Sequence, residues 1–519
     1  MLRKKSAASL VPCLGESFPE SRVGHKDTFP IETQGGIFHV RWDTDTRVSA
    51  VGGVVPLAQF LEATKLFDGW VSDCPLHFTS NRAHDKRDIL GTFLLSALHG
   101  HSRYAHITGI RHDGVSSGVL GMERVVSEDS VRRALKRMDG EAARRWSQRH
   151  LLETLRPLLS EPWILDVDVT IKPIYGGQEG ANIGYNPHKP GRPSHAYHSF
   201  LLAKARLVLD VEVHPGDEHS SATTRTDLFH WLEKIPRAFW PKLLRGDCGF
   251  GTEHMMAWPE LVGLPYLFKQ RMTKNTKAAV RLVDVNATWH DAGQGWQGTE
   301  SHLLLSGWSQ KRRIIILRRP YQPRYPRNED KKKITGSQQL CIDEVASLLL
   351  PDQRDFEYHV LVTNLPDTIP IIAQCYRERG DAENIFDELK NHWGWTGFTT
   401  KKIIPCQIAA RMTAQIYNWW SLFVRLASPH HHREAVTSRP ILLNTIARQT
   451  TTGGQRFLTI TSNHTQKTHI AQYFTALTKY LSQFIANANA EQWNATKRWE
   501  YLLRKIFSSC FSTITPKTG

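Results

Sequence analysis

The 519-residue sequence lacks any run approaching the ~18 consecutive apolar residues that a membrane-spanning helix requires, which argues against an integral membrane protein. Its mean hydropathy of −0.39 agrees. The opening MLRKKSAASLVPCLGESFPE is basic, but Pro12 and Glu16 cut its apolar run well short of a secretory signal, so a cytoplasmic location is expected. Cysteine is scarce and scattered: seven residues form no C-x2-C pair, which excludes a disulfide framework and a zinc knuckle. There is no internal repeat, and no low-complexity tract beyond His430 to His432.

Acidic residues are missing where they would balance the charge. From Asn391 to Gly519 there are 15 basic residues and 3 acidic, and from Lys311 to Lys333 there are 10 and 2. These two stretches exceed the net charge of +16, so the rest of the chain is slightly acidic. Positive charge concentrated in this way suits a polyanion, because each Lys or Arg placed on a phosphate releases condensed counterions. Nucleic acid is therefore the expected partner.

Length suggests about three domains' worth of chain. Residues 1–35, rich in Ser, Pro and Gly, read as a flexible arm, and residues 36–158 as a mainly helical, DNA-binding region. Within it, Ser127 is placed to cap a helix reaching Met138, with acids in its first turn and Arg133, Lys136 and Arg137 toward its end, a candidate for reading DNA. At Trp163 the pattern changes to β-branched runs, and residues 159–274 read as the first part of an α/β core. Residues 275–350, with RLVDVNATWH, ESHLLLSGW and KRRIIILRR, read as a β-rich insertion. Residues 351–400 resume the core and 401–519 read as a basic helical region.

Between Tyr376 and Lys390 the sequence is YRERGDAENIFDELK. At 100° per residue, Tyr376, Arg379, Glu383 and Lys390 fall on one narrow face of a helix. Alone, such a stripe reads as a solvated charged face. Two acidic strand positions change its meaning. In WILDVDVT, alternation puts Asp166, Asp168 and Thr170 on one side, and Asp247 follows an apolar strand and precedes Gly249 and Gly251. Two aspartates and a glutamate gathered by an α/β core would hold two divalent ions, and hard oxygen donors favour Mg²⁺, with Mn²⁺ as a substitute.

The spacing Y-x2-R-x3-E-x6-K, with LDVDVT, YGGQEGANIGYNPHKPGRPS and RGDCGF upstream, resembles the YREK signature of bacterial insertion-sequence transposases with a DDE triad. The resemblance spans roughly residues 40 to 430. It implies a ribonuclease H-like mixed-sheet α/β core with a β-rich insertion, flanked by helical N- and C-terminal regions. It implies a magnesium-dependent enzyme that binds terminal inverted repeats, cleaves DNA as an endonuclease and joins the 3′-OH ends to target DNA. It places the catalytic, metal-holding triad at Asp168, Asp247 and Glu383, and DNA-binding roles at Tyr376, Arg379 and Lys390. A homodimer in the synaptic complex and a DNA-associated, bacterial cytoplasmic location follow from the same resemblance. Family members set the first Asp two residues before a Thr, which selects Asp168 with Thr170, although Asp166 shares its facing. Cys248 stands where Ser is usual.

Lys189 and Arg192, in a proline-stiffened loop, are candidates to steer the scissile strand, with a solvated turn as the alternative. Trp289, Trp296 and Trp308 could stack on a flipped base or serve in packing; Trp419 and Trp420 are assigned to packing. A structure-specific nuclease on the same core and a catalytically inactive DNA-binding repressor remain the alternatives.

Overall fold

The computed structural model describes residues 28–320 and 356–511, apart from 44, 79, 81–82, 187–188, 219, 285–286, 430–431 and 462–465. Near the N-terminus, β1 (Phe29–Thr33) and β2 (Gly36–Val40) form a hairpin, and β3 (Arg47–Ser49) follows. The central strands are β4 (Ile164–Pro173), β5 (Asn182–Ile183), β6 (Pro193–Leu202), β7 (Leu207–Pro215), β8 (Leu243–Gly246) and β9 (Tyr266–Lys269). They continue as β10 (His290–Gly293), β11 (Trp296–Leu303), β12 (Arg312–Pro320) and β13 (Phe356–Thr363), and β14 (Ala447–Thr452) pairs with β15 (Gln455–Ile460).

Ten strands make one sheet in the order β10-β11-β12-β13-β9-β8-β4-β6, with β5 and β7 also on β6. Only β4, β8 and β9 run parallel to one another; every other junction is antiparallel. The strands β8 and β9 are buried along nearly their whole length, as is the start of β4, which fits a parallel core covered on both faces. This is the mixed-sheet α/β class expected from the sequence.

A hydrophobic cluster runs from Val51 to Phe507 and joins the N-terminal helices to the long helix Ile403–Ala427. Trp419 and Trp420 lie inside it, Trp419 edge-on to Trp70 at 5.4 Å and Trp420 donating to Ser438 Oγ at 3.0 Å. The same long helix covers the outer edge of the sheet. Asn418 accepts from the Val208 amide at 2.9 Å and donates to its carbonyl at 2.7 Å, and Arg411 donates to Asp210 at 2.8 Å. An otherwise open strand edge is thereby closed from within. Among the described residues, no helix is long and apolar enough to cross a membrane.

Several expectations are met locally. Ser127 Oγ accepts from the Ser130 amide at 3.2 Å and caps the helix Glu128–Arg137. That helix buries Val131, Ala134 and Leu135 in the common core and leaves Arg132, Arg133, Lys136 and Arg137 exposed.

Other expectations are corrected. The arm assigned to residues 1–35 is already paired at β1, while residues 1–27 lie outside the described part. The segment RLVD, residues 281–284, belongs to the helix Lys274–Asp284, which Thr273 caps by accepting from the Thr276 amide and which buries Thr276 and Val280 on one face. The remainder of the described part of 275–350 is β-rich as expected, and its strands β10 to β12 join the core sheet through the pairing of β12 with β13. The basic C-terminal region is not wholly helical: β14 pairs with β3, some 400 residues earlier in the chain.

Candidate active site

Residues Ile164 to Val167 of β4 pair in parallel with Leu243 to Gly246 of β8. One step beyond that ladder, Asp168 and Asp247 stand beside each other, where β8 ends and the chain turns away. Crevices at the C-terminal ends of parallel strands are where open α/β sheets hold ligands. Asp247 Oδ1 accepts from the Gly249 amide at 2.8 Å, which fixes the turn. At Gly251 a Cβ would sit 2.7 Å from the Lys269 carbonyl, so only glycine lets this turn lie against β9.

Alternation gives Asp166 the same facing as Asp168, and the partner across the ladder separates the two. Two residues back on the same face, Asp166 is paired in register with Arg245, and both its oxygens accept from that guanidinium at 2.7 Å. Each side chain is 1% exposed. Asp166 is a buried structural carboxylate, whereas Asp168 lines a cleft of about 860 Å³ with Asp247, Cys248, Lys269 and Glu357.

The helix over this face is broken. It runs as Ile369–Arg377 and Gly380–His392, so the stripe calculated for one continuous helix does not hold across Glu378 and Arg379. The Arg379 amide bonds to the Tyr376 carbonyl, three residues back, at 3.0 Å. The Cys375 carbonyl, its partner in an unbroken helix, accepts from Arg245 Nη1 instead. The Asp381 and Ala382 amides likewise bond three residues back, which tightens this turn.

The break turns Arg379 inward. Its side chain is 6% exposed and donates to Asp168 Oδ2 at 2.9 Å, with Nη1 3.8 Å from Glu383 Oε1. It was expected to face DNA phosphates; it lies between the carboxylates of Asp168 and Glu383. Glu383, in the first turn of the second helix, is 74% exposed. Lys390, two turns on, is exposed with its ammonium 6.0 Å from the Phe386 ring centroid. Tyr376 is half-buried, and burial pushes its hydroxyl up; Arg379 pulls it back and the charges of Asp247 and Glu383 add to the rise, so it stays protonated.

Burial pushes the Asp168 carboxyl up to about 6; Arg379 pulls it back and the charge of Asp247 adds to the rise. Burial lowers Lys269, partly offset by Cys248, Glu357, Asp247 and Glu383. Sequence reasoning missed Lys269. The signal was available, since the runs ending in Asp247 and Lys269 are neighbouring parallel strands, with Gly246 in register with Phe268.

Lys189 and Arg192 are exposed and gather over Tyr175, at 5.1 and 4.8 Å from its ring centroid; neither lines the cleft, which Tyr185 of the same loop reaches. The four arginines in the described part of the basic stretch are internally paired: Arg312 with Glu253 and Glu260, Arg313 with Glu300, Arg318 with Asp284 and Arg319 with Glu357. Residues 321–333 lie outside the described part. Trp289 lies against Arg318 at 3.8 Å, Trp308 against Arg312 at 5.3 Å and Trp296 against His359 at 4.7 Å, so all three have partners within the protein. Of the three consecutive histidines only His432 is described, 3.7 Å from Glu388. Cys74, Cys248, Cys375 and Cys406 are free thiols.

Residues 39–482 match the family model described as transposase DDE domain group 1. The chain belongs to this family of DDE transposases. It is a DNA transposase, an enzyme, and its family works with divalent metal ions. A solved piggyBac transposase synaptic complex with hairpin DNA is similar over 88% of this chain and 86% of that one, with 12% identity and a TM-score of 0.39. No curated protein is matched.

The donor set of the transposase cleft fits such an ion. It consists of the carboxylates of Asp168, Asp247 and Glu383, with the Arg379 guanidinium supplying positive charge between Asp168 and Glu383. The three acids are not drawn together as a closed ligand set. Among the described residues, the one group of three ligand side chains whose donor atoms lie within 4.8 Å of one another is His198, His214 and Asp227, elsewhere in the fold.

Proposed function

We propose that the protein is the transposase of a bacterial insertion sequence, which binds terminal inverted repeats, cleaves DNA at them and joins the freed 3′-OH to target DNA. The observation that carries this reading is the register of β4 and β8, which sets Asp168 beside Asp247 beneath the helix bearing Glu383. In this reading Asp168, Asp247 and Glu383 hold two Mg²⁺ ions. When bound, such ions activate the attacking oxygen and stabilise the departing one.

The chain's own residues do the rest. Arg379 neutralises part of the charge shared by Asp168 and Asp247, which keeps the first aspartate in place before DNA arrives. Tyr376 offers a protonated hydroxyl to a phosphate near the cleft, and Lys390 offers a mobile charge two turns from Glu383. Lys269, on the strand beside Asp247, adds positive charge at the cleft wall. Lys189 and Arg192, held over Tyr175, present a second cationic patch on the loop that Tyr185 connects to the cleft. Two chains act together at paired ends, on DNA in the bacterial cytoplasm.

The test uses DNA flanking the coding region as substrate. Cleavage and joining are followed with Mg²⁺ or Mn²⁺ for the wild type and for Glu383→Ala, whose exposed side chain leaves the fold intact when removed. Cleavage and strand transfer lost together in the variant, with end binding kept, support the reading. Wild-type cleavage without joining would make the protein a nuclease, and binding without either reaction a repressor.

A further inference from the structure

The sheet has a second face. In the antiparallel ladder of β4 and β6, Ser199 pairs with Asp168 and His198 with Val169, so His198 lies on the face of the sheet opposite Asp168. His214 on β7 pairs with Ala196 and lies on the same far side as His198. The helix Ser220–Glu233 brings Thr224 and Asp227 to this face, three residues apart and therefore on one side of the helix.

We propose that His198, His214 and Asp227 form a structural Zn²⁺ site that pins the helix Ser220–Glu233 to the back of the catalytic sheet. One donor atom from each of the three side chains lies within 4.8 Å of the other two. The imidazoles of His198 and His214 are 4.6 Å apart between ring centroids.

An independent observation concerns His198, which is fully buried. Its Nδ1 is 2.7 Å from Thr224 Oγ1, while Nε2 has no hydrogen-bond partner. With the proton on Nε2, a buried N–H is left unsatisfied; with the proton on Nδ1, Thr224 accepts it and Nε2 carries a free lone pair. The second tautomer is the one a metal takes, and its distal nitrogen is held by a neighbouring oxygen, as ligating histidines usually are. His214 has the matching arrangement: Nε2 lies 2.6 Å from Asp227 Oδ2, and Nδ1 lies 3.2 Å from Glu218 Oε2. Glu218 is thus the carboxylate behind the ligand.

Two imidazoles and one carboxylate make a borderline donor set, softer than the all-oxygen cleft, and leave a fourth position for water. Uptake of the ion displaces the proton that His214 shares with Asp227, and that proton leaves to solvent.

The experiment takes the full chain, strips it with a chelator and titrates it with Zn²⁺ alone by calorimetry and with Co²⁺ alone by visible absorption. Wild type, His198→Gln, Asp227→Asn and Glu383→Ala are run in parallel, with circular dichroism to establish folding. The expected result is one Zn²⁺ per chain and visible Co²⁺ bands for the wild type and Glu383→Ala. His198→Gln and Asp227→Asn should lose affinity by at least about tenfold. If His198→Gln does not fold, Asp227→Asn decides, because its amide still bonds to His214. Wild-type affinity in the two site variants, loss of the ion in Glu383→Ala, or no binding to the wild type would each overturn the site and leave a hydrogen-bonded histidine pair.

Discussion

Asp166 and Asp168 stand two residues apart on one face of a strand, yet substituting each by Asn should move stability in opposite directions. Asp166 binds Arg245 through two hydrogen bonds, with both side chains buried. Asp166→Asn leaves an uncompensated guanidinium in the interior, at a cost of about 3–5 kcal/mol, against a total stability of about 5–15 kcal/mol. Asp168 is the opposite case. Its carboxyl is raised from 3.8 to about 6, a shift worth about 3 kcal/mol at 1.36 kcal/mol per unit. Because the native state binds this proton more tightly than the unfolded chain, the stability contributed by the group is full below pH 3.8 and is lost as pH rises through about 6. Asp168→Asn mimics the protonated form. In the presence of chelator it should therefore stabilise the protein by about 3 kcal/mol at pH 7.5, with the gain fading toward pH 4. The assay is thermal and urea unfolding of both variants and the wild type from pH 4.5 to 8. A destabilised Asp168→Asn, or a gain that does not change with pH, would refute the assignment of Asp168 as a carboxylate held in a site built for added positive charge.

Other outcomes follow from the same geometry. Divalent ions must compete with the proton on Asp168, so Mn²⁺ affinity at the cleft should rise with pH through about 6; a flat profile measured by paramagnetic relaxation counts against Asp168 as a ligand. Asn418→Leu strips both partners from the Val208 backbone at the sheet edge, and at about 1–3 kcal/mol for each group left unpaired it should lower the urea midpoint and promote aggregation, as light scattering would detect. Gly251→Ala drives a methyl toward the Lys269 carbonyl and should cost about 1–3 kcal/mol, slowing cleavage more than end binding in a gel-shift comparison. Arg379→Ala should reduce strand transfer while Arg379→Lys, which keeps the charge but not the fork, restores part of it; equal rates for both and for the wild type would remove Arg379 from the mechanism.

Much was determined by the sequence itself, wherever the governing interaction is local. Strand alternation put Asp166, Asp168 and Thr170 on one face, Ser127 capped its helix, and the charge-poor, aromatic run at 411–426 marked a helix buried along nearly its whole length. The spacing of Tyr376, Arg379, Glu383 and Lys390 was legible for the same reason. Which aspartate is open to the cleft was not, because it depends on Arg245, 79 residues from Asp166 and brought beside it only by the parallel register of β4 and β8. The same arginine takes the Cys375 carbonyl and breaks a helix that periodicity alone would continue, which turns Arg379 from solvent to Asp168. Charge counts likewise could not tell a free arginine from a paired one: Arg312, Arg313, Arg318 and Arg319 look like a phosphate-binding stretch in one dimension and meet carboxylates in three. A sequence fixes each side chain's chemistry and its direction from the local backbone, but the partner that satisfies a charge or a carbonyl is chosen when distant segments pack.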